Sequence, residues 1–206
     1  MDTFGDPGWF HHQQIAQIWG LTALRLATSQ VIRFCATAYT DKLESYLSSL
    51  RSQVLDMLGG DLAIAKSRID LPILEDAVQE LAKYAKYLDS KAKDLKTNPK
   101  RRTCFMNMVC VSWSRIAEIE TVNKAYLRFE RGFIGDGLPG RPIYKHVIYA
   151  PGTWEGYAGL TFPSIREAVA DQRWDEAKEQ VHVIANLLKK AASDKESLDI
   201  GDSYFR

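Results

Sequence analysis

Between residues 71 and 95, eight apolar side chains (Leu71, Leu74, Val78, Leu81, Ala85, Leu88, Ala92 and Leu95) follow one another at steps of 3, 4, 3, 4, 3, 4 and 3. A strand would repeat its buried face every second residue. This spacing therefore specifies a helix of about seven turns, with one seam suited to near-parallel packing against other helices. Lys, Glu and Asp fill most of the other positions, and Tyr84 and Tyr87 widen the apolar face. Asn98-Pro99 ends the helix, because proline disfavours helical geometry in the residue before it.

The same period recurs on either side. Asp6-Pro7 is a start signal for a first helix reaching to about Val31, with Ile15, Ile18, Trp19 and Leu26 on a broad apolar face. Asp41 opens a second helix carrying Leu43, Leu47, Leu50, Val54 and Met57, which Gly59-Gly60 ends. A fourth is predicted from about Arg102 to Gly132, with Phe105, Val109, Trp113, Ile116, Ile119, Tyr126 and Phe129. Trp174, Ala177, Val181, Ile184 and Leu188 define the last. Between Gly132 and Pro163 the period is lost in a stretch rich in glycine, proline and aromatic residues, of the kind that is packed or functional. Within or beside it, Val147 to Tyr149 reads as a short strand and Ser164 to Ala170 as a short helix capped by Ser164. The prediction is an all-α, up-down bundle of four to five long helices, with a long irregular loop before the last. One domain spans 1–195, with a pocket-type loop at 133–163 and a flexible tail over 196–206.

Little in the chain points to chemistry of its own. Lys plus Arg number 27 against 26 Asp plus Glu, so there is no global pull on nucleic acid or anionic membrane, and no nucleic-acid partner is expected. The local cluster Lys96, Lys100, Arg101 and Arg102 reads as a solvated turn between helices. No run approaches the ~20 apolar residues that span a bilayer, so the chain is expected to be soluble, with no membrane insertion. Cys35, Cys104 and Cys110 form no CxxC pair and read as small apolar fillers. His11 and His12 are adjacent, diverge on a helix and cannot share a metal; no HExxH, Cys/His cluster or nucleophile elbow is present. No catalytic residue, metal site or cofactor is assigned. His146 is either a packed or capping histidine or part of a site, since its loop is the one site-like stretch. Tyr84, Tyr87, Trp113 and Tyr126 supply more apolar surface than one seam needs. They are candidates for a homodimer interface or for a wide core face, and periodicity alone leaves both readings open.

The irregular loop also carries a resemblance. Gly137-Leu138-Pro139-Gly140-Arg141-Pro142, Tyr144-Lys145-His146-Val147-Ile148-Tyr149-Ala150-Pro151, Tyr157-Ala158-Gly159 and Phe162-Pro163-Ser164-Ile165 follow in the order seen in glutamate carboxypeptidases and the transferrin receptor. Phe4-Gly5-Asp6-Pro7, Gln17-Ile18-Trp19-Gly20 and Leu24-Arg25-Leu26-Ala27 resemble the end of the peptidase domain running into the helical domain of that family, and fungal vacuolar-sorting homologues share the pattern. The resemblance implies a helical dimerisation domain preceded by a zinc-peptidase-like domain, of which residues 1–10 are the tail end, in a membrane-anchored parent. That parent would hold this domain on the lumenal, extracellular or vacuolar side. It also implies a loop that completes the substrate pocket of the domain's own peptidase partner, through Tyr157 with Arg141, His146 and Tyr149. The zinc, if the parent is active, belongs to the peptidase domain. Where the family has a Lys-Tyr pair before Ala-Gly, this chain has Gly156-Tyr157, so the cation that recognises a substrate carboxylate is missing. The alternative implied by the same family is a receptor-like protein-binding domain of a non-catalytic homologue.

Overall fold

The first nineteen-residue helix stands in a unit of its own. The chain forms two compact units, Met1–Phe34 and Cys35–Arg206. The computed structural model describes residues 5–97, 102–103, 109–110, 113–153 and 159–193, without the side chains of Leu62, 102–103, 109–110 and 113–114. In the first unit a 3-10 turn, Pro7–Trp9, leads into α1, Phe10–Thr28. Asp6 caps it as predicted: its carboxylate accepts the N–H groups of His11 (3.0 Å) and His12 (2.9 Å) and the ring of His12. Burial raises the Asp6 carboxyl, but these donors outweigh it and hold it at about 2. No residue of α1 is buried, and among the described residues of its unit Ile15, Ile18, Trp19, Leu21, Leu24 and Leu26 remain exposed.

The second unit is mostly helical. It contains α2 (Ala36–Met57), α3 (Leu62–Ile69), α4 (Leu71–Thr97), α5 (Trp113–Arg131), α6 (Pro163–Ala170) and α7 (Trp174–Ala192). All eight residues of the predicted seam are buried along α4, which packs against α7, α2 and α5. Leu43, Leu47, Leu50 and Val54 of α2 and Ala177, Val181, Ile184 and Leu188 of α7 close the core on it. Each fully buried large aliphatic chain contributes about 1.5–3 kcal/mol, so this seam is where the bundle's stability is concentrated. The all-α bundle is as the sequence predicts. Among the described residues no helix is long and apolar enough to cross a membrane.

Several boundaries differ for identifiable reasons. Helix α2 begins five residues before Asp41, because its first turn is capped by the Asp89 carboxylate of α4: Asp89 accepts the N–H groups of Ala36 (3.1 Å) and Thr37 (2.8 Å) and the Thr37 hydroxyl (2.6 Å). The two-turn helix α3 was not predicted. Its cap is local, Asp61 accepting from Ala63 N–H (2.8 Å) and Ile64 N–H (3.2 Å), and Asp70, in the left-handed region at φ 51°, joins it to α4. The fourth predicted helix starts at Trp113, not Arg102. Arg102–Thr103 (β1) and Val109–Cys110 (β2) pair antiparallel instead. Ser164 does not cap α6: that helix starts with Pro163 in its first turn, and the Ser164 hydroxyl is buried without a hydrogen bond. Met57 is exposed rather than in the seam, and Cys35 is exposed rather than a filler. Cys104, Phe105, Asn98-Pro99, Lys100, Arg101 and the tail 196–206 lie outside the described residues.

Candidate functional site

Residues 133–147, which follow α5, are ordered by backbone pairing despite their composition. Gly135 N–H donates to Lys145 O (2.8 Å), Leu138 N–H to Tyr144 O (3.0 Å) and Val147 N–H to Phe133 O (3.0 Å), which folds 133–147 back on itself. Gly137 makes the return possible. Its φ is 124°, and a Cβ there would lie 2.7 Å from the Cα and O of Pro142, so only glycine fits. Phe133, Val147 and Ile148 bury the inner side of the fold-back. The predicted strand then appears two residues on: Tyr149–Pro151 (β3) pairs antiparallel with Gly159–Thr161 (β4), with Pro151 opposite Gly159. Phe162, fully buried in the left-handed region at φ 49°, turns the chain into α6.

Arg141 and Glu167 close this hairpin onto α6. Arg141 Nη2 donates to both carboxylate oxygens of Glu167 (2.7 and 2.6 Å), and Nη1 donates to Pro151 O (2.6 Å). The same Glu167 oxygen accepts the N–H (3.0 Å) and hydroxyl (2.8 Å) of Thr153. Both ionic side chains are about four-fifths buried. The guanidinium of Arg141, a sequence candidate for the substrate pocket, is therefore engaged by a carboxylate of its own chain.

His146 and Tyr149 lie together in an aromatic cluster with α2. The Nδ1 of His146 accepts the Tyr149 N–H (3.1 Å), which sets the neutral tautomer with its proton on Nε2. Nε2 is buried without a hydrogen bond, 3.9 Å from Glu130 Oε1. Burial lowers the His146 pKa, with Glu130 pulling the other way. The Tyr149 hydroxyl donates to that of Tyr46 (2.6 Å), and burial followed by this bond raises the Tyr149 phenol. Ring contacts continue from Tyr46 through Tyr149 and His146 to Phe133 and Tyr39. Tyr157, Trp154 and Gly156 lie outside the described residues; of the other candidates the structure brings His146 and Tyr149 together, while Arg141 is engaged with Glu167 and Pro151 O.

The proposed interface residues separate. Tyr84 and Tyr126 are buried inside the chain itself, which leaves them no surface for a partner. The Tyr84 ring stacks on Phe129 at 6.2 Å, and the Tyr126 hydroxyl donates to Asp89 (2.8 Å). Tyr87 remains partly exposed beneath Lys91, and the Trp113 side chain lies outside the described residues. Among the described residues no three His, Cys, Asp or Glu side chains come together to hold a metal ion.

Residues 69–195, from the end of α3 through α7, match the model of the transferrin receptor-like dimerisation domain. The chain belongs to that family. The chain is 28% identical over 193 residues to a probable glutamate carboxypeptidase of Arthroderma benhamiae, covering 93% of this chain and 24% of that protein. It is 25% identical over 200 residues to a probable glutamate carboxypeptidase of Arabidopsis thaliana, covering 93% and 25%. It is 27% identical over 192 residues to an inactive zinc metalloprotease of Schizosaccharomyces pombe, covering 93% and 22%. The chain thus spans about a quarter of the length of these relatives. Sequence reasoning passed over Asp89, Glu130, Glu167, Tyr39 and Tyr46. The signal for Asp89 was its place beside Leu88, where a charged residue adjoins the buried seam; the others left none.

Proposed function

We propose that this chain is the homodimerisation domain of a zinc-carboxypeptidase-like, membrane-anchored protein and that it does not catalyse alone. The observation that carries the reading is the family match running through α4 to α7, the helices that build the core. Helix α1 supports a second contact, with a peptidase domain of the same polypeptide. A broad apolar helix face is suited to burial against another body, and α1 leaves Ile18, Trp19 and Leu24 more than half exposed. The test is absolute mass by light scattering on a sizing column across concentrations. A species at twice 23.3 kDa is expected; a monomer at tens of micromolar would remove self-association from this chain.

A second reading is favoured by the hairpin. The ordered positions of Arg141, His146 and Tyr149 support a role for segment 154–158 in completing a substrate pocket through Tyr157, in a parent whose zinc lies in the peptidase domain. With Gly156 in place of the family lysine, preference for a C-terminal glutamate is not expected. Tyr157→Phe in the intact polypeptide tests this, and unchanged kinetics would take Tyr157 out of the pocket. One relative is named inactive, which keeps a receptor-like, non-catalytic parent as the alternative outcome of that assay.

A further inference from the structure

His146 is held at its backbone by bonds that do not involve its ring. Ile134 and His146 form an isolated antiparallel bridge, Val147 N–H donates to Phe133 O (3.0 Å), and Phe162 N–H donates to Ile148 O (2.9 Å). The two ring nitrogens stand in unlike surroundings. Nδ1 accepts the N–H of Tyr149, the first residue of β3, at 3.1 Å. Nε2 is buried without a hydrogen bond, and Glu130 Oε1 lies 3.9 Å away on a side chain that is more than half exposed. Tyr149 has a second tie, its hydroxyl donating to that of Tyr46 on α2 (2.6 Å). Tyr39, also of α2, stacks on Phe133 and keeps a buried hydroxyl without a hydrogen bond. Burial pushes the phenols of Tyr39 and Tyr149 up, so both stay protonated while the imidazole titrates. Of the cations beside the cluster, Lys145 is exposed, and Arg166 is tied to Thr161 O, Gln53 and Tyr46 O. Among the described residues Glu130 is the charge that acts on the imidazole.

We infer that His146 is a pH-sensitive latch on the start of β3: uncharged, its Nδ1 fastens Tyr149 N–H, and protonated, it releases that N–H and pairs with Glu130. A proton on Nδ1 would set two donors face to face across 3.1 Å, so that hydrogen bond does not survive protonation. The same proton turns Nε2–H, which lacks an acceptor in the neutral state, into a charged donor beside a carboxylate. A small movement of the exposed Glu130 side chain then completes a charge-assisted hydrogen bond. One contact is exchanged for another on uptake of a single proton. Because the backbone bonds around His146 leave its ring out, the change is confined to the Tyr149 end of β3 and its contact with Tyr46. The latch stands whether or not the loop completes a substrate pocket.

Solution NMR of the whole chain, followed from about pH 8 to about pH 4.5, tests this. Long-range nitrogen–proton correlations of the imidazole should show the Nε2–H tautomer at the upper end. As His146 takes up its proton, exchange of the Tyr149 amide, corrected for the intrinsic effect of pH, is expected to speed by at least about tenfold. The amides of Leu81 and Leu88 in α4 should keep their protection over the same range. His146→Asn leaves an acceptor near the place of Nδ1 and cannot take up the proton, so its Tyr149 amide should lose the pH dependence, a result that a general loss of stability would not give. Should that variant fail to fold, Glu130→Gln removes the counter-charge of the acid state and is expected to move the Tyr149 transition to lower pH. Corrected Tyr149 exchange that is flat with pH, a transition that persists in folded His146→Asn, or protection lost in α4 together with Tyr149 overturns the inference.

Discussion

Replacing Asp89 with alanine removes the acceptor shared by three helices. One carboxylate caps α2 through Ala36 and Thr37 and receives the hydroxyl of Tyr126 on α5. Loss of a cap costs about 1–2 kcal/mol, and taking the charged acceptor from a buried hydroxyl costs about 1–3 kcal/mol. The two share one side chain and do not add fully, so the expected loss is about 3 kcal/mol. In urea unfolding with a slope of about 2 kcal/mol per molar, the midpoint falls by about 1.5 M with the slope unchanged. Asp89→Asn keeps a capping oxygen and loses only the charge, and is expected to cost about 1 kcal/mol. Burial works against the Asp89 carboxylate, but the donors from Thr37, Tyr126 and Ala36 win and hold its pKa below the usual value. A depressed carboxyl stabilises above its unfolded pKa and loses that contribution as pH falls through the folded one. The gap between the native chain and Asp89→Asn should therefore close below about pH 4. A loss under about 1 kcal/mol for Asp89→Ala, or an Asn variant as unstable as the Ala variant, would refute the shared-cap account.

Two further outcomes follow from the loop. Because burial depresses the His146 pKa, the unfolded chain binds the extra proton first. Stability is then complete above about pH 6.5 and falls as the pH drops below it; protonation of Nδ1 also removes the acceptor for Tyr149 N–H. Glu130→Gln, which takes away the opposing charge, should steepen that loss in pH-dependent thermal melts, and a slope unchanged by the substitution would contradict the pairing. Gly137→Ala, at φ 124° and 2.7 Å from Pro142 backbone, should cost more than about 2 kcal/mol, whereas Gly140→Ala, at φ 68° in open space, should cost about 1 kcal/mol in the same denaturation assay.

The parts of the fold written in local periodicity were legible. The seam from Leu71 to Leu95 appears residue for residue in the core, and Asp6 does act as a cap, although on a helix that starts at Phe10 rather than Pro7. What was not legible depends on distant partners. The start of α2 is set by a carboxylate more than fifty residues further on, so no signal near Ala36 announces it. Phe105, Val109 and Trp113 fit a helical spacing, yet Val109–Cys110 pairs with Arg102–Thr103, because a short apolar run fits either period and the contest is decided by neighbours. The loop was recognised as site-like from composition. Which glutamate would meet Arg141, and that Tyr46 would meet Tyr149 across 103 residues, are facts of packing that no spacing encodes.

The borrowed cap also orders events during synthesis. A growing chain releases Ala36 and Thr37 from the ribosome long before Asp89 is added, so the first turn of α2 emerges with its leading N–H groups facing water. That turn closes only after α4 has formed and docked. It should mature late in folding and be among the first parts of the bundle to reopen, which makes the junction at Cys35 the natural fraying point of the second unit.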